Sequence, residues 1–350
     1  MKQIEVQSAG LTDTGTLRSD NQDQFLVADL TRGAIVRSGS LGMEQGARLV
    51  GQPMGHLFLV ADGMGGHRGG NEASKFAIQF CANAILNSAS WVASVNPSNE
   101  DVFVEDLKSM LEQAHQAIEE RSKTTNGFEG MGTTLTMAYV DWPRMFIVHA
   151  GDTRCYLFRN NELRLVTRDH TVANEMMKNG QLDPDELERS HWSNVLVNAL
   201  GAGARSVFPD IYKLDLQQND SIMLCSDGLN KHVTDLQIRR TLASVSGPQR
   251  VCEEMVALAK QGGGSDNITV VMAKFLEQEA PKNRMRLFVS HPSPEILLQD
   301  LEIPDSELDT RDEEPSHPTT VDAQVDTDGD GKDTVDFDEN GGGPTGEFHS

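Results

Sequence analysis

Residues 57–63 read LFLVADG, five apolar residues running into Asp62 and a glycine. The same pattern, an apolar run that ends in an aspartate beside a turn residue, returns at 146–152 (FIVHAGD) and 221–228 (SIMLCSDG). It appears in reverse order at 266–271 (DNITVV). Runs this short and this apolar read as buried strands. Each therefore sets a carboxylate, Asp62, Asp152, Asp227 or Asp266, at the rim of a core strand. Turn formation or helix capping accounts for any one such aspartate. Neither explains why the run before Asp227, 221–225, is so apolar, and four such aspartates together change the balance.

Working outward, residues 24–29, 56–61, 133–140, 144–150, 154–159, 221–225 and 267–274 form short runs rich in apolar, β-branched or aromatic residues. Most are separated by turns and not by helices, which predicts largely antiparallel sheets. Residues 71–94 place Ala73, Phe76, Ala77, Phe80, Ala84 and Ile85 at helical spacing, and 100–123 do the same with Phe103, Leu107, Leu111, Ala114 and Ile118. A third helix covers 249–261 and stops at the glycines 262–264. The fold class is α+β, with helices flanking antiparallel strands. The glycine-rich stretch 31–55 reads as a long surface loop. Residues 171–201, with a short helical piece at 172–178 and an acidic run at 183–188, read as a mobile flap beside the site.

Composition divides the 350 residues. From Met285 onward there are 18 acidic and 3 basic side chains, −15 of the net −23. A segment so acidic and so poor in aromatic residues cannot bury enough surface to offset its chain entropy. The expected organisation is a catalytic domain at 1–280 and a disordered acidic tail at 285–350. The acidic balance argues against a nucleic-acid partner. Cys81, Cys155, Cys225 and Cys252 are scattered, with no C-x-x-C pair to suggest a zinc or redox site. No signal-like start and no run of eighteen apolar residues is found, so a soluble cytoplasmic protein without membrane contact is expected, and a monomer.

A carboxylate at the end of an apolar strand costs several kcal/mol, on the order of the penalty for a buried ion, unless a cation compensates it. Lysine and arginine look scarce near these positions. Divalent ions meet the need, and an all-oxygen ligand set without a His or Cys cluster selects Mg²⁺ or Mn²⁺ over Zn²⁺. Gly63, lacking a Cβ, can turn its carbonyl toward such an ion.

Seven motifs in order complete the picture: 18–23 (RSDNQD), 61–66 (ADGMGG), 132–134 (GTT), 149–154 (HAGDTR), 168–171 (RDHT), 226–229 (SDGL) and 265–269 (SDNIT). On these the chain resembles the type 2C, or PPM-family, metal-dependent serine/threonine protein phosphatases, most closely the bacterial branch. The resemblance covers roughly residues 7–275. It implies two stacked antiparallel β-sheets flanked by α-helices, an αββα sandwich with metals in a cleft at one end. It implies hydrolysis of phosphoserine and phosphothreonine in proteins by a metal-activated bridging water, with no phosphoenzyme. It implies two Mn²⁺ or Mg²⁺ ions and a third, weaker one. Asp62 would bridge the two, the Gly63 carbonyl would join the first, and Asp227 and Asp266 would complete the second. Asp23 would hold a metal-bound water, and Asp152 with Asp227 would form the third site. Arg18 would grip the substrate phosphate, its bland alternative being an ion pair with Asp20. Arg154 and His170 also sit in family motifs, with structural and catalytic roles equally open.

The chain departs from the family where Met64 replaces a histidine proposed as a proton donor in eukaryotic relatives, leaving a metal-bound water or His67 for that task. Gln22 replaces a common glutamate, and Asn198 a common basic residue. A dinucleotide fingerprint fails because Arg68 stands where G-x-G-x-x-G needs its third glycine. A cysteine phosphatase fails because no cysteine is followed by an arginine six residues on. Asp326, Asp328 and Asp330 mimic a calcium loop whose closing glutamate would fall on Phe337. A catalytically weak module of the same fold is the alternative function.

Overall fold

The structure, a computed structural model, describes residues 3–38, 44, 46–87, 99–183, 186, 190–278 and 288–290. The chain divides into one compact unit, Met1–Gln299, and a second, Asp300–Ser350. The second unit, with most of the expected acidic tail and the calcium-loop mimic, lies outside the described residues.

In the first half of the fold, β1 (Gln3–Asp13), β2 (Asp23–Ile35) and β3 (Arg48–Met64) precede α1 (Gly66–Asn87) and α2 (Glu100–Thr124). Then follow β4 (Gly132–Thr133), β5 (Leu135–Asp141), β6 (Arg144–Ala150), β7 (Arg154–Arg159), β8 (Glu162–Leu165) and α3 (Val172–Lys178). The remainder comprises β9 (Leu200–Gly201), β10 (Asp210–Asp215), β11 (Ser221–Cys225), α4 (Asp227–Asn230), α5 (Asp235–Ser244), α6 (Pro248–Gln261), β12 (Ile268–Gln278) and β13 (Phe288–Ser290). One sheet has the order β1-β12-β11-β7-β8. The other runs β10-β6-β5-β3-β4-β9, with β2 and β13 also paired to β3. The pairings are antiparallel.

Period-two alternation along the central strands builds three apolar cores between four layers. In β3, Phe58 and Val60 point between the sheets, where they meet Leu224, Val271 and Phe275. Leu57, Leu59 and Ala61 point the other way, onto Ala73, Ala77 and Cys81 of α1 and Leu107 and Leu111 of α2. On the opposite sheet Met223, Val270 and Met272 face Val251, Met255 and Ala259 of α6. Both faces of each central strand are covered, which is why these segments read as unbroken apolar runs. The αββα sandwich expected from the sequence is the architecture found. All four cysteines are buried and unpaired. Among the described residues no helix is long and apolar enough to cross a membrane.

The sequence reading errs at several elements. The stretch 31–55 is for the most part not a loop: β2 continues to Ile35, and β3 starts at Arg48 and pairs with it through two register shifts. This arm is largely exposed, so no buried face left an apolar pattern to read. Strands β1, β8 and β10 and helix α5 were not foreseen. Helix α1 begins at Gly66, ahead of the expected 71, and the expected residues 88–94 lie outside the described ones. Strand β13, inside the stretch expected as tail, pairs Phe288–Ser290 with Arg48–Val50.

Candidate active site

Strand ends bring the acids together. Asp62 lies near the end of β3, and Asp23 opens β2 directly across the ladder from it. Asp152 follows β6, Asp227 opens α4 just after β11, and Asp266 precedes β12. Asp62, Asp152, Asp227 and Asp266 line one open cleft of about 680 Å³ together with Arg18, Gly63, Met64 and Asn267. Asp23 is buried.

Two glycines permit the convergence. A Cβ on Gly63 would collide with the Gly70 carbonyl, so only glycine lets the end of β3 pass the start of α1. A Cβ on Gly228 would strike the Asn267 carbonyl, and its absence draws the first turn of α4 against the Asp266 turn. Asn267 ties the motif at 18–23 to this point: its Oδ1 accepts from the Gln22 amide at 2.8 Å, and its Nδ2 donates to the Asp20 carbonyl at 3.0 Å.

The carboxylates are bound unequally. Asp23 Oδ2 accepts from Ser226 Oγ at 2.6 Å and from Thr269 Oγ1 at 2.7 Å, while its Oδ1 is buried with no partner. Burial pushes its pKa up to about 7 against the pull of these hydroxyls, with Asp227 and Asp266 adding to the rise. Asp62 is held well above the usual carboxylate range, first by burial and then by Asp23, Asp227, Asp152 and Asp266 in turn. Asp152 is raised by burial and by the neighbouring charges of Asp227 and Asp169. Asp227 is raised by burial although Lys231 opposes it, and its Oδ1 is also buried without a partner. For Asp266, burial pushes upward but Lys231 and Arg18 outweigh it, and the net shift is downward.

Those cations correct the expectation that bases are scarce here. Lys231 Nζ lies 2.5 Å from Asp227 Oδ2 and 3.0 Å from Asp266 Oδ2. Arg18 forks onto Asp266, Nε to Oδ1 at 2.8 Å and Nη2 to Oδ2 at 3.1 Å, where a contact with Asp20 was the bland expectation. Among the described residues no three acidic, imidazole or thiol groups are drawn up around one common point. The donor set still fits hard divalent ions: it is all oxygen, and two of those oxygens, Asp23 Oδ1 and Asp227 Oδ1, are buried and unsatisfied.

The other motif residues are held in hydrogen-bonded networks of their own. Arg154 binds Asp169 with Nε and Nη2, the shortest contact 2.7 Å. His170 Nδ1 accepts from the Gly151 amide at 3.2 Å and from Asn198 Nδ2 at 2.8 Å, while Nε2 donates to Asp210 at 3.1 Å. Asn198 thus has a positioning contact where a basic side chain was noted as missing. The Gln22 carbonyl accepts from Ser74 Oγ at 2.6 Å and from the Gly63 amide at 3.2 Å. The side chain of His67 lies outside the described residues. Asn194, Val195 and Leu196, from the stretch expected as a flap, line the cleft. That stretch is tied at its root by Val172 N to the Val195 carbonyl and by Val197 N to the His170 carbonyl.

Sequence reasoning missed Lys231, Ser226 and Thr269 as site residues. Lys231 follows Asp227 by one helical turn, a spacing that could have flagged it.

The raised acids set a pH dependence for the metal-free chain. An acid whose folded pKa is raised favours the fold while it keeps its proton, and that advantage is lost as pH climbs through the folded value. His149, buried and lowered to about 3, works the other way, but only below its ordinary value of 6.5. Between pH 6.5 and 8 the chelator-treated protein is therefore expected to lose stability. Asp23 alone contributes about 1 kcal/mol to the fall, and each further carboxyl still holding its proton adds about 1.4 kcal/mol per pH unit. Thermal melts across this window check it, and a midpoint that rises with pH would contradict it.

Comparison with known proteins assigns the class, a protein phosphatase. The profile described as Protein phosphatase 2C matches residues 45–277, and the chain belongs to that family. Protein phosphatase PhpP of Streptococcus pneumoniae is 30% identical over 270 residues, covering 77% of this chain and 98% of that protein. Serine/threonine phosphatase stp of Listeria welshimeri is 30% identical over 218 residues, 62% of this chain and 84% of its own. Among solved structures, the catalytic domain of the serine threonine protein phosphatase PstP in complex with 2 manganese ions superposes with a TM-score of 0.61. It is 27% identical, over 78% of this chain and 100% of that one.

Proposed function

We propose that this cleft hydrolyses phosphoserine and phosphothreonine in proteins, using two divalent cations, manganese or magnesium, held by Asp62, the Gly63 carbonyl, Asp227 and Asp266. Asp23 supports a water ligand, and Asp152 with Asp227 offers a weaker third position. The carrying observation is the acid cluster itself: Asp62 is pushed up first by burial and then by four neighbouring aspartates, and two buried carboxylate oxygens lack any partner. The two manganese ions of the PstP relative support the same reading.

Bound cations would supply a water acidic enough to attack near neutral pH and would offset charge on the phosphoryl oxygens. The chain's own part is positional. Thr133 Oγ1 and the Thr134 amide donate to the Asp62 carbonyl at 2.8 and 2.9 Å, fixing the end of β3. Ser226 and Thr269 fix Asp23. Among the described residues lining the cleft there is no cysteine, so no thiolate competes for the nucleophile's role. Residues 171–201 form a substrate-facing flap in this reading, with Val195 and Leu196 toward the phosphopeptide.

Arg18 stands at the cleft with an exposed guanidinium already committed to Asp266. It becomes the phosphate ligand once a cation takes over that carboxylate. Arg18→Ala is expected to lower kcat/KM for a phosphothreonine peptide about tenfold or more, chiefly through KM, and Arg18→Lys should recover little of it. Steady-state kinetics on the three proteins read this directly, and unchanged KM in Arg18→Ala would remove the role.

The function itself is tested by manganese-dependent phosphate release from phosphothreonine peptides. Full activity in the presence of excess chelator would rule it out. The alternative, a catalytically weak module, draws on the cations that already neutralise Asp266, and it predicts manganese binding without turnover.

A further inference from the structure

Large apolar side chains left in water are not spread evenly over the molecule. Among the described residues ten are exposed, and five of these fall one each on β2, α1, α2, β8 and α5. Single exposures of that kind are ordinary. The other five keep company with the cleft: Leu17 precedes Arg18, and Trp192, Val195, Val197 and Phe208 cluster around the lining segment 194–196 or are tied to it. The backbone fixes them outward. Val172 N donates to the Val195 carbonyl at 2.8 Å and Val197 N to the His170 carbonyl at 2.9 Å, so Leu196 sits opposite Thr171 in an antiparallel bridge. Sides alternate about such a bridge: Leu196 is half-buried, while Val195 and Val197 are exposed. Asn198 then anchors a second stretch of chain. Its Oδ1 accepts from Phe208 N at 3.0 Å, and its Nδ2 donates to the Phe208 carbonyl at 2.7 Å and to His170 Nδ1 at 2.8 Å. Both amide protons are spent inward, and Phe208 is held 71% exposed at the end of that segment.

We infer that Trp192, Val195, Val197 and Phe208 form an apolar shelf, seconded by Leu17, that grips the substrate polypeptide beside its phosphorylated residue. The preferred substrates then carry large apolar side chains next to the phosphothreonine or phosphoserine. This deepens the protein-phosphatase reading above and rests on it. The occupant follows from continuity with the cleft. Arg18, Ser19 and Asp20 line it together with Asn194, Val195 and Leu196, so a chain that sets its phosphate inside leaves past Leu17 or past the shelf. The acids of the cleft serve any phosphate alike, and discrimination among protein substrates falls to the rim. An apolar rim discriminates by burial: a leucine or phenylalanine laid against it leaves water, a serine gains little, and a carboxylate is desolvated at a cost. Because hydrogen bonds already fix the shelf's backbone, binding requires little further ordering of this chain.

The experiment measures kcat/KM of the full chain, with manganese, on phosphothreonine peptides of one length. Serine flanks the phosphothreonine in the first, and leucine and phenylalanine replace it before, after or on both sides in the other three. The peptide apolar on both sides should be hydrolysed about tenfold more efficiently than the serine peptide, chiefly through KM. Affinities of the labelled peptides for the chelator-stripped chain, read by fluorescence anisotropy, should rank in the same order. The preference is taken as a ratio within each protein, which cancels any general loss of activity. In a Val197→Ser, Phe208→Ser double variant the ratio should fall to about one. Trp192→Ser alone should lower it about threefold, and serves if the double variant is poorly folded. Equal kcat/KM on all four peptides, or affinities that do not rank with it, would overturn the shelf and leave the phosphatase reading standing. A preference that survives in these variants would take it away from these residues. A concentration-dependent dimer that the double variant dissolves would give the shelf to a second copy of the chain instead. No manganese-dependent release from any peptide would overturn the shelf together with the function it rests on.

Discussion

An Asp227→Asn chain is expected to release phosphate from a phosphothreonine peptide about a thousandfold more slowly than wild type, a loss of about 4 kcal/mol of transition-state stabilisation. The substitution keeps the shape and removes the charge. Asparagine still offers Lys231 an oxygen, and the helix-opening position tolerates it. The charge matters because Asp227 repels Asp62, Asp152 and Asp23 alike, as an acid amid the cluster does. Losing it should relieve that repulsion and weaken cation binding in one step. The stripped variant should consequently melt no lower than the stripped wild type, while its manganese-dependent turnover collapses. Parallel assays with p-nitrophenyl phosphate separate a loss of chemistry, seen on both substrates, from a loss of peptide contacts. Equal turnover in wild type and variant on both substrates would remove Asp227 from the mechanism.

The acids of this cluster were legible before the structure because burial leaves a mark on composition. Strands covered on both faces must be apolar throughout, so the aspartates closing 57–62 and following 221–225 stood out against their background. The same logic explains what was missed. Strand β1 pairs with β12 along eleven residues, yet it is a half-buried edge strand carrying Glu5, Gln7 and Ser8, too polar to announce itself. Strand β10 is likewise half exposed, with Asp210, Lys213 and Asp215 diluting its pattern. Helix α5 does carry a local signal. Thr234 and Gln237 form a capping box, with the Thr234 amide donating to Gln237 Oε1 at 3.0 Å, and this T-x-x-Q was readable in the sequence.

Side-chain partners across long separations were less accessible. Ser226 and Thr269 lie 203 and 246 residues from Asp23, and nothing local in the chain says that their hydroxyls meet one carboxylate oxygen. Arg18 reaching Asp266 is the same case, a contact across 248 residues. Lys231 differs, since its pairing with Asp227 is a neighbour effect within one turn. What could not be read was that Asp266 would arrive on its other side.

Arg154→Met should destabilise the protein by about 3 kcal/mol, because it leaves a carboxylate only 12% exposed without its partner. The guanidinium makes a forked contact with Asp169, at 3.0 and 3.1 Å from Nε and 2.7 Å from Nη2, and also donates to Tyr156 Oη at 3.1 Å. Tyr156 in turn donates to Asp235 at 3.2 Å, so one network joins β7, the 168–171 motif and the start of α5. Asp169 is also one of the charges that raise Asp152 and Asp227. With Arg154 gone, an uncompensated Asp169 stands beside the acid cluster, and the stripped protein should suffer more than the manganese-loaded one. Replacing both partners removes the stranded charge, so Arg154→Met combined with Asp169→Leu should recover most of the loss. Urea denaturation of the single and double variants, with and without manganese, measures each arm. If Arg154→Met cost less than about 1 kcal/mol, or if the double variant were worse than the single, the pair would be no more than a surface contact. The structural role assigned to Arg154 would then fall, and a direct role in catalysis would have to be reconsidered.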